Sequence, residues 1–211
     1  MTERTFWENA WKTVNRETLA AYAARFAQGQ DPIVSLLRGR GAVQVCDTGC
    51  GCGAFSLLLA RQGFRVSGFD LSEDAVALTK ALLAEEGFSS ENFRAAEIRN
   101  TGFPDAAFDA VLARDVLDHL PMEEARAALG ELLRITRPGG CLLLRLDGTD
   151  EEYETESHET SEDGDYFYTA GKWKGMVFHP YSPGELDKLT RGLDAKRLDK
   201  ENGFLVLIEK H

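Results

Sequence analysis

Val43-Gln44-Val45-Cys46-Asp47-Thr48-Gly49-Cys50-Gly51-Cys52-Gly53-Ala54 is the stretch whose reading decides the fold. It opens as a short β-branched run, the pattern of a strand buried on both faces of a parallel sheet. Glycines then fall at every second position: Gly49, Gly51 and Gly53. Phe55 to Gln62 follows as an apolar helical run, ended by Gly63. Strand, tight glycine turn and helix form the first half of a nucleotide-binding βαβ unit. Glycine serves such a turn twice. It takes φ values closed to other residues, and it lets a ligand approach bare backbone. The N–H groups at the helix start have no partner inside the helix and face the same space.

The glycines leave the ligand open, because Gly49-x-Gly51-x-x-Ala54 also fits the dinucleotide fingerprint G-x-G-x-x-G/A. Asp47 tips the balance. An acid at the strand end repels a pyrophosphate and suits a ligand that carries an ammonium group. From Asp47 to Gly53 the chain resembles the class I S-adenosylmethionine (SAM)-dependent methyltransferases, whose first motif reads D/E-x-G-x-G-x-G. The resemblance implies an α/β fold: a Rossmann-like, doubly wound, seven-stranded sheet with a reversed last strand and helices on both faces. It implies SAM as cofactor, with Asp47, Gly49, Cys50, Gly51 and Gly53 at the cofactor.

Bulk composition limits the alternatives. A chain of 211 residues, 43% hydrophobic, is one domain or one domain with a cap. No apolar run is long enough for a membrane span. Met1 to Trp7 lacks the basic-then-apolar pattern of a signal peptide, so a cytoplasmic location is expected. A net charge of −11 argues against a nucleic-acid partner, whose phosphates need a basic face. Cys50-x-Cys52 is too closely spaced for a zinc site and no second Cys/His pair complements it, so no metal is expected. The cysteines read as small residues filling a tight loop, with a redox-sensitive thiol at the helix start as the alternative.

Before the turn, residues 5–28 carry apolar side chains at three- and four-residue steps and read as one helix. Trp7 and Trp11 stand one turn apart on one face, either packed on the sheet or forming a lid over the cofactor or substrate. Trp7-Glu8-Asn9-Ala10-Trp11 is similar to a W-x-x-x-W pair near the N-terminus of thiopurine-type methyltransferases. Asp31-Pro32 caps a short helix over Ile33 to Arg38. Residues 1–40 are thus an N-terminal helical cap on a core spanning 41–148.

After the turn, Phe64 to Asp70 reads as a second strand ending in an acid, and Ser72 caps the next helix, which runs to about Glu86. An acid in the place of Asp70 holds ribose hydroxyls in both nucleotide-binding families, since a carboxylate accepts two O–H donors. Leu71 stands beside it. Asn92 to Ala96 is a third strand, and Phe103-Pro104-x-x-x-Phe108-Asp109 precedes a fourth at Val111 to Ala113. On the family's register Glu97 accepts from the adenine amino group and Ile98 offers its N–H to the ring. Arg114 and Asp115 leave the fourth strand where the family contacts the methionine part of SAM. Asp118 and His119 are the nearest titratable pair to a methyl acceptor, His119 being either structural or a base.

Pro121 to Thr136 is an amphipathic helix broken by Arg137-Pro138-Gly139-Gly140, a turn that marks the family, and Cys141 to Leu146 is the fifth strand. The run from Asp150 to Asp165 holds many acids and no Lys or Arg. It reads as a solvated loop, or as a lid that screens a cationic acceptor. Residues 166–169 and 175–179 read as a strand pair, so 149–181 forms an acidic insertion with a substrate-side hairpin. Tyr166, Tyr168, Trp173, His179 and Tyr181 are its substrate-face candidates, with His179 and Tyr168 also weak candidates for proton transfer. Residues 182–211 supply the last helix, to about Leu193, and a closing hairpin across Asn202-Gly203. The function expected is methyl transfer from SAM to a small-molecule acceptor. A SAM- or nucleoside-binding module without catalysis and an NAD(P)-dependent oxidoreductase are the alternatives.

Overall fold

The computed structural model describes residues 3–27, 31–148, 151–200 and 203–211. The N-terminal helix is two helices, α1 (Glu3–Lys12) and α2 (Arg16–Ala27), where the periodicity predicts one over 5–28. Apolar spacing carries across the break, but capping chemistry interrupts it. The Asn15 side chain accepts from the Thr18 N–H at 2.9 Å, and Thr13 Oγ1 donates back to the Ala10 carbonyl. Asparagine at that place starts a new helix. Gln28 lies outside the described residues. Helix α3 (Pro32–Gly39) starts where expected, with Asp31 capping the Ile33 N–H at 2.8 Å.

The core then alternates strand and helix: β1 (Gln44–Thr48), α4 (Ala54–Arg61), β2 (Arg65–Asp70), α5 (Glu73–Glu85), β3 (Phe93–Ala95), β4 (Phe108–Arg114), α6 (Met122–Ile135) and β5 (Thr136–Asp147). After an insertion come α8 (Pro183–Leu189), β9 (Asp194–Lys200) and β10 (Gly203–Glu209). The seven strands lie in the order β3-β2-β1-β4-β5-β10-β9. The first five are parallel, and β10 runs antiparallel to both β5 and β9. This is the Rossmann-like, seven-stranded α/β sheet that the sequence implies. Asn202 of the closing hairpin lies outside the described residues. The last helix ends at Leu189, four residues before the expected Leu193, and the Thr190 hydroxyl turns back onto the Leu186 carbonyl.

Strand β4 shows why the sheet is buried on both sides. Ala110 and Leu112 point into one cluster with Ile33, Leu37, Phe55 and Leu59 of α3 and α4. Val111 and Ala113 point into the other with Leu129, Leu132 and Ile135 of α6. Period two on a doubly covered strand gives a continuous apolar run. Each fully buried Leu or Val contributes about 1.5–3 kcal/mol. Among the described residues no helix is long and apolar enough to cross a membrane.

The acidic insertion is not the solvated loop its composition suggests. It forms a short helix, α7 (Glu151–Thr155), and a strand, β6 (His158–Thr160), beside β7 (Tyr166–Tyr168) and β8 (Val177–Phe178). The three strands make a separate antiparallel sheet in the order β6-β7-β8, so the expected hairpin gains a third strand. Aromatic stacking supplies what charge opposes. The Tyr153 ring lies parallel to Phe178 at 4.1 Å and near-parallel to Trp173 at 4.7 Å, and His158 stacks on Tyr166 at 4.1 Å. Asp150 lies outside the described residues.

Candidate functional site

The order of winding reverses between β1 and β4: the chain winds outward from β1 to β3, then crosses back to β4. The crevice at such a switch point, beyond the carboxyl ends of the strands, is where α/β sheets take ligands. A cleft lies there. Its floor is Gly49 of the glycine turn, with Phe69, Asp70 and Leu71 from the end of β2. On the β3 side stand Ala96, Glu97 and Ile98; on the β4 side stand Asp115, Val116, His119 and Leu120. Trp7 and Trp11 of α1 complete the lining.

The glycines let neighbouring side chains pack directly on the turn. Gly49, Gly51 and Gly53 all have positive φ. A Cβ on Gly49 would come 2.5 Å from Val116 Cγ2, and one on Gly51 would come 2.7 Å from the Trp11 ring. The turn is therefore held between Val116, just after β4, and Trp11 of α1.

Asp70 is buried, yet its carboxylate edge reaches the cavity. Oδ2 accepts from the Gly51 N–H at 2.9 Å and Oδ1 from the Ser72 N–H at 2.9 Å. Burial pushes its pKa up, and the Ser72 and Gly51 N–H groups oppose the shift. Each oxygen keeps a lone pair for a hydroxyl donor.

Asp47 lies beneath the turn, outside the cavity lining, with Oδ2 accepting from Ser56 Oγ of α4 at 2.5 Å. Burial pushes its pKa up to about 6, against the pull of Ser56 and Arg114. The Arg114 guanidinium lies 3.9 Å over the Phe55 ring and also stays off the lining. Burial lowers its pKa, and Asp115 and Asp47 oppose the shift. These two expected cofactor residues thus reach the site through the turn and through Asp115. Asp115 itself is on the lining, in a left-handed conformation (φ 55) rare for an aspartate. Its Oδ2 pairs with Arg145, while Oδ1 is buried with no hydrogen-bond partner.

Glu97 lines the cavity and pairs with Arg99 at 2.8 Å. Cys50 and Cys52 are buried, and burial raises both thiol pKa values, which overturns the reactive-thiol reading. Cys50 sits under the turn with its N–H on the Phe69 carbonyl.

His119 lines the β4 side, its ring 4.8 Å from that of Trp7. Nδ1 lies 3.1 Å from the Val177 carbonyl of β8. Asp118 points the other way: it is fully buried, and Oδ2 accepts from the Asp147 N–H. Burial pushes its pKa up to about 6, with His119 opposing and Asp115 adding. Oxygens of Asp115, Asp118 and Asp147 come within 4.8 Å of one another. Arg145 already bridges Asp115 and Asp147, so a guanidinium serves as the cation there.

The substrate-face aromatics of the insertion do not reach the cavity. Tyr166 and Trp173 are used in stacking, and the Tyr168 hydroxyl donates to the Tyr153 carbonyl at 2.9 Å. His179 is fully buried with Nδ1 2.8 Å from Asp165, and Tyr181 packs on its ring at 4.5 Å. A small insertion with few aliphatic residues needs its aromatics for its own core. Phe69, Ala96, Val116 and Leu120 are lining residues that sequence reasoning missed. All four adjoin an expected site residue, but apolar side chains carry no chemical signature.

The sheet order, the reversed β10 and the cleft over the glycine turn define the class I methyltransferase architecture. Residues 45–140 match the family described as "Methyltransferase domain". The chain is 30% identical over 142 residues to a malonyl-[acyl-carrier protein] O-methyltransferase of Serratia marcescens, covering 62% of this chain and 53% of that protein. It is 31% identical over 144 residues to a 2-heptyl-1-hydroxyquinolin-4(1H)-one methyltransferase of Mycobacteroides abscessus, covering 66% and 63%. The chain spans about half the length of the first of these relatives. Two solved structures share the fold. One is the Burkholderia thailandensis 1,6-didemethyltoxoflavin-N1-methyltransferase with bound S-adenosylhomocysteine (TM-score 0.64, 20% identity, 95% of this chain and 80% of that one). The other is the magnesium protoporphyrin IX methyltransferase of Synechocystis PCC 6803 with bound SAM (TM-score 0.63, 19% identity, 100% and 98%).

Proposed function

We propose that this protein binds SAM in the cleft over the glycine turn and transfers its methyl group to a small-molecule acceptor. The observation that carries the reading is Asp70: a carboxylate at the end of β2, on the cavity floor, tied to the turn by the Gly51 N–H. In this arrangement Asp70 takes the ribose hydroxyls. Glu97 and the Ile98 N–H face the adenine on the β3 side. The methionine end lies by Gly49 and Asp115, whose unpartnered Oδ1 suits an ammonium group. SAM supplies a methyl group on a good leaving group. The protein's work is then to align the acceptor with the S–CH3 axis and to exclude water. Trp7 and Trp11 do the second.

Titration calorimetry with SAM, S-adenosylhomocysteine and NADH tests the reading. Binding of the first two and not the third is expected; the reverse makes the protein an oxidoreductase. Label transfer from methyl-labelled SAM to an acceptor panel separates an enzyme from a binding module. No nucleic-acid partner is part of this proposal, and the net charge of −11 supports that.

A further inference from the structure

We infer that the acceptor is an uncharged, flat aromatic hydroxyl compound and that His119 removes its proton. The inference rests on the SAM-binding reading above and names the substrate class of that site.

The tautomer of His119 is the starting point. A carbonyl oxygen only accepts, so the Nδ1 atom 3.1 Å from the Val177 carbonyl carries the ring proton. In the neutral ring Nε2 then holds a lone pair, and His119 lines the cavity. A lone pair fixed at a cavity wall is complementary to an X–H donor and repels a carboxylate. The small sheet sets this state. Val177 is in β8, and the next residue of the chain after β8, His179, donates its N–H to the Asp118 carbonyl at 2.6 Å. The insertion thus grips the segment that carries His119 at two consecutive points.

The surroundings choose among X–H donors. Cofactor placement uses the β3 side, the floor and Asp115, which leaves the remainder of the β4 side for the acceptor. That part is formed by Trp7, Trp11, Val116, Leu120 and His119. Two indoles and two aliphatic side chains favour a flat apolar body. Among the described residues no Lys or Arg lines the cavity. A carboxylate or phosphate acceptor would be desolvated there without a countercharge.

The chemistry balances with these groups alone. The hydroxyl proton passes to Nε2 as the oxygen bonds to the methyl carbon, and the electron pair of the S–C bond leaves with sulfur. The products are a methyl ether, a neutral thioether and an imidazolium, which returns its proton to solvent.

Three probes that share one naphthalene body test it: naphthol, naphthoate and naphthylmethylamine. Calorimetry of each with the S-adenosylhomocysteine complex reads binding, and label transfer from SAM reads chemistry. Naphthol is expected to bind at least about tenfold more tightly than naphthoate or the amine, and to be the one methylated. His119→Asn is the informative variant, because its amide N–H keeps the donor to Val177 while removing the base. Methyl transfer to naphthol is expected to fall about a hundredfold or more, with SAM affinity and melting temperature held. Tighter binding of naphthoate or the amine, no binding of naphthol, or an unchanged rate in His119→Asn overturns the inference. Loss of SAM binding in the wild-type protein would instead bring down the reading beneath it.

Discussion

The Gly51 N–H donates to Asp70 Oδ2 at 2.9 Å, so the glycine turn after β1 and the acid at the end of β2 are one rigid unit. The two groups are adjacent in the sheet because β1 and β2 pair in parallel register, with Thr48 opposite Phe69. A cofactor that meets the turn therefore meets the acid at a fixed distance.

Asp70→Ala is expected to weaken SAM binding at least tenfold, from loss of charge-assisted hydrogen bonds at roughly 1.5–3 kcal/mol each. It also strands the Gly51 and Ser72 N–H groups, at about 1–3 kcal/mol apiece. Asp70→Asn keeps one acceptor oxygen and should lie between the two. Calorimetry with S-adenosylhomocysteine and urea unfolding separate the two losses. Unchanged affinity in Asp70→Ala would remove the ribose assignment.

Gly51 and Gly53 both have positive φ, but they differ in what a side chain would strike. At Gly51 the obstacle is the Trp11 ring at 2.7 Å; at Gly53 it is the Thr79 Cα at 2.8 Å. A ring on a lid helix can move, whereas helix backbone cannot without repacking α5. Ala at either position carries about 1–2 kcal/mol of left-handed strain. Gly53→Ala is expected to lose more stability than Gly51→Ala. Trp11→Ala should recover part of the Gly51→Ala loss and none of the Gly53→Ala loss. Equal recovery in the two double variants, measured by chemical unfolding, would show that Trp11 does not lie against Gly51.

The motif from Asp47 to Gly53 made the sheet legible, because glycine spacing and strand-end acids follow from backbone needs that have few solutions. Asp70, Glu97, Asp115 and His119 were legible for the same reason: each sits at a strand end or within five residues after it, and strand ends converge. The insertion was not. Its acids suggested a solvated loop, while its stability comes from ring stacking among Tyr153, Phe178 and Trp173, residues far apart in sequence. The same stacking removed Tyr166, Tyr168 and Trp173 from the substrate face. The hydrogen bond from His119 to Val177 spans 58 residues and two sheets, and no local pattern encodes it.

Asp118 predicts a pH dependence. Its carboxyl has a pKa near 3.9 in an unfolded chain, and burial raises it to about 6 in the fold. The folded state then holds the proton more tightly, so this group's contribution to stability falls as pH rises from about 4 to about 6 and is flat above. Asp118→Asn removes that fall and keeps an acceptor for the Asp147 N–H. The stability of the variant minus that of the wild type is expected to grow by roughly 2–3 kcal/mol across the interval. Urea unfolding at a series of pH values gives the difference directly. A flat difference would mean that Asp118 titrates in the fold as it does in water.

Glu97 makes the adenine end specific. Its carboxylate lines the β3 side of the cavity and is half-exposed, with Arg99 2.8 Å away at 39% side-chain exposure for Glu97. Solvent and Arg99 both weaken its pull on an amino group, so the effect of removing it is smaller than at Asp70. Glu97→Ala is expected to weaken S-adenosylhomocysteine binding about three- to tenfold, one modest charge-assisted hydrogen bond. The base also decides the sign of discrimination. An adenine offers an N–H donor to the carboxylate, whereas a hypoxanthine offers a carbonyl oxygen that the carboxylate repels. The wild-type protein should therefore prefer S-adenosylhomocysteine to S-inosylhomocysteine, and Glu97→Ala should narrow the gap mainly by losing the first ligand. Calorimetry of both ligands on both proteins measures the four affinities. An equal loss for the two ligands would assign Glu97 to holding the loop with Arg99 and leave the amino group to the Ile98 backbone and solvent.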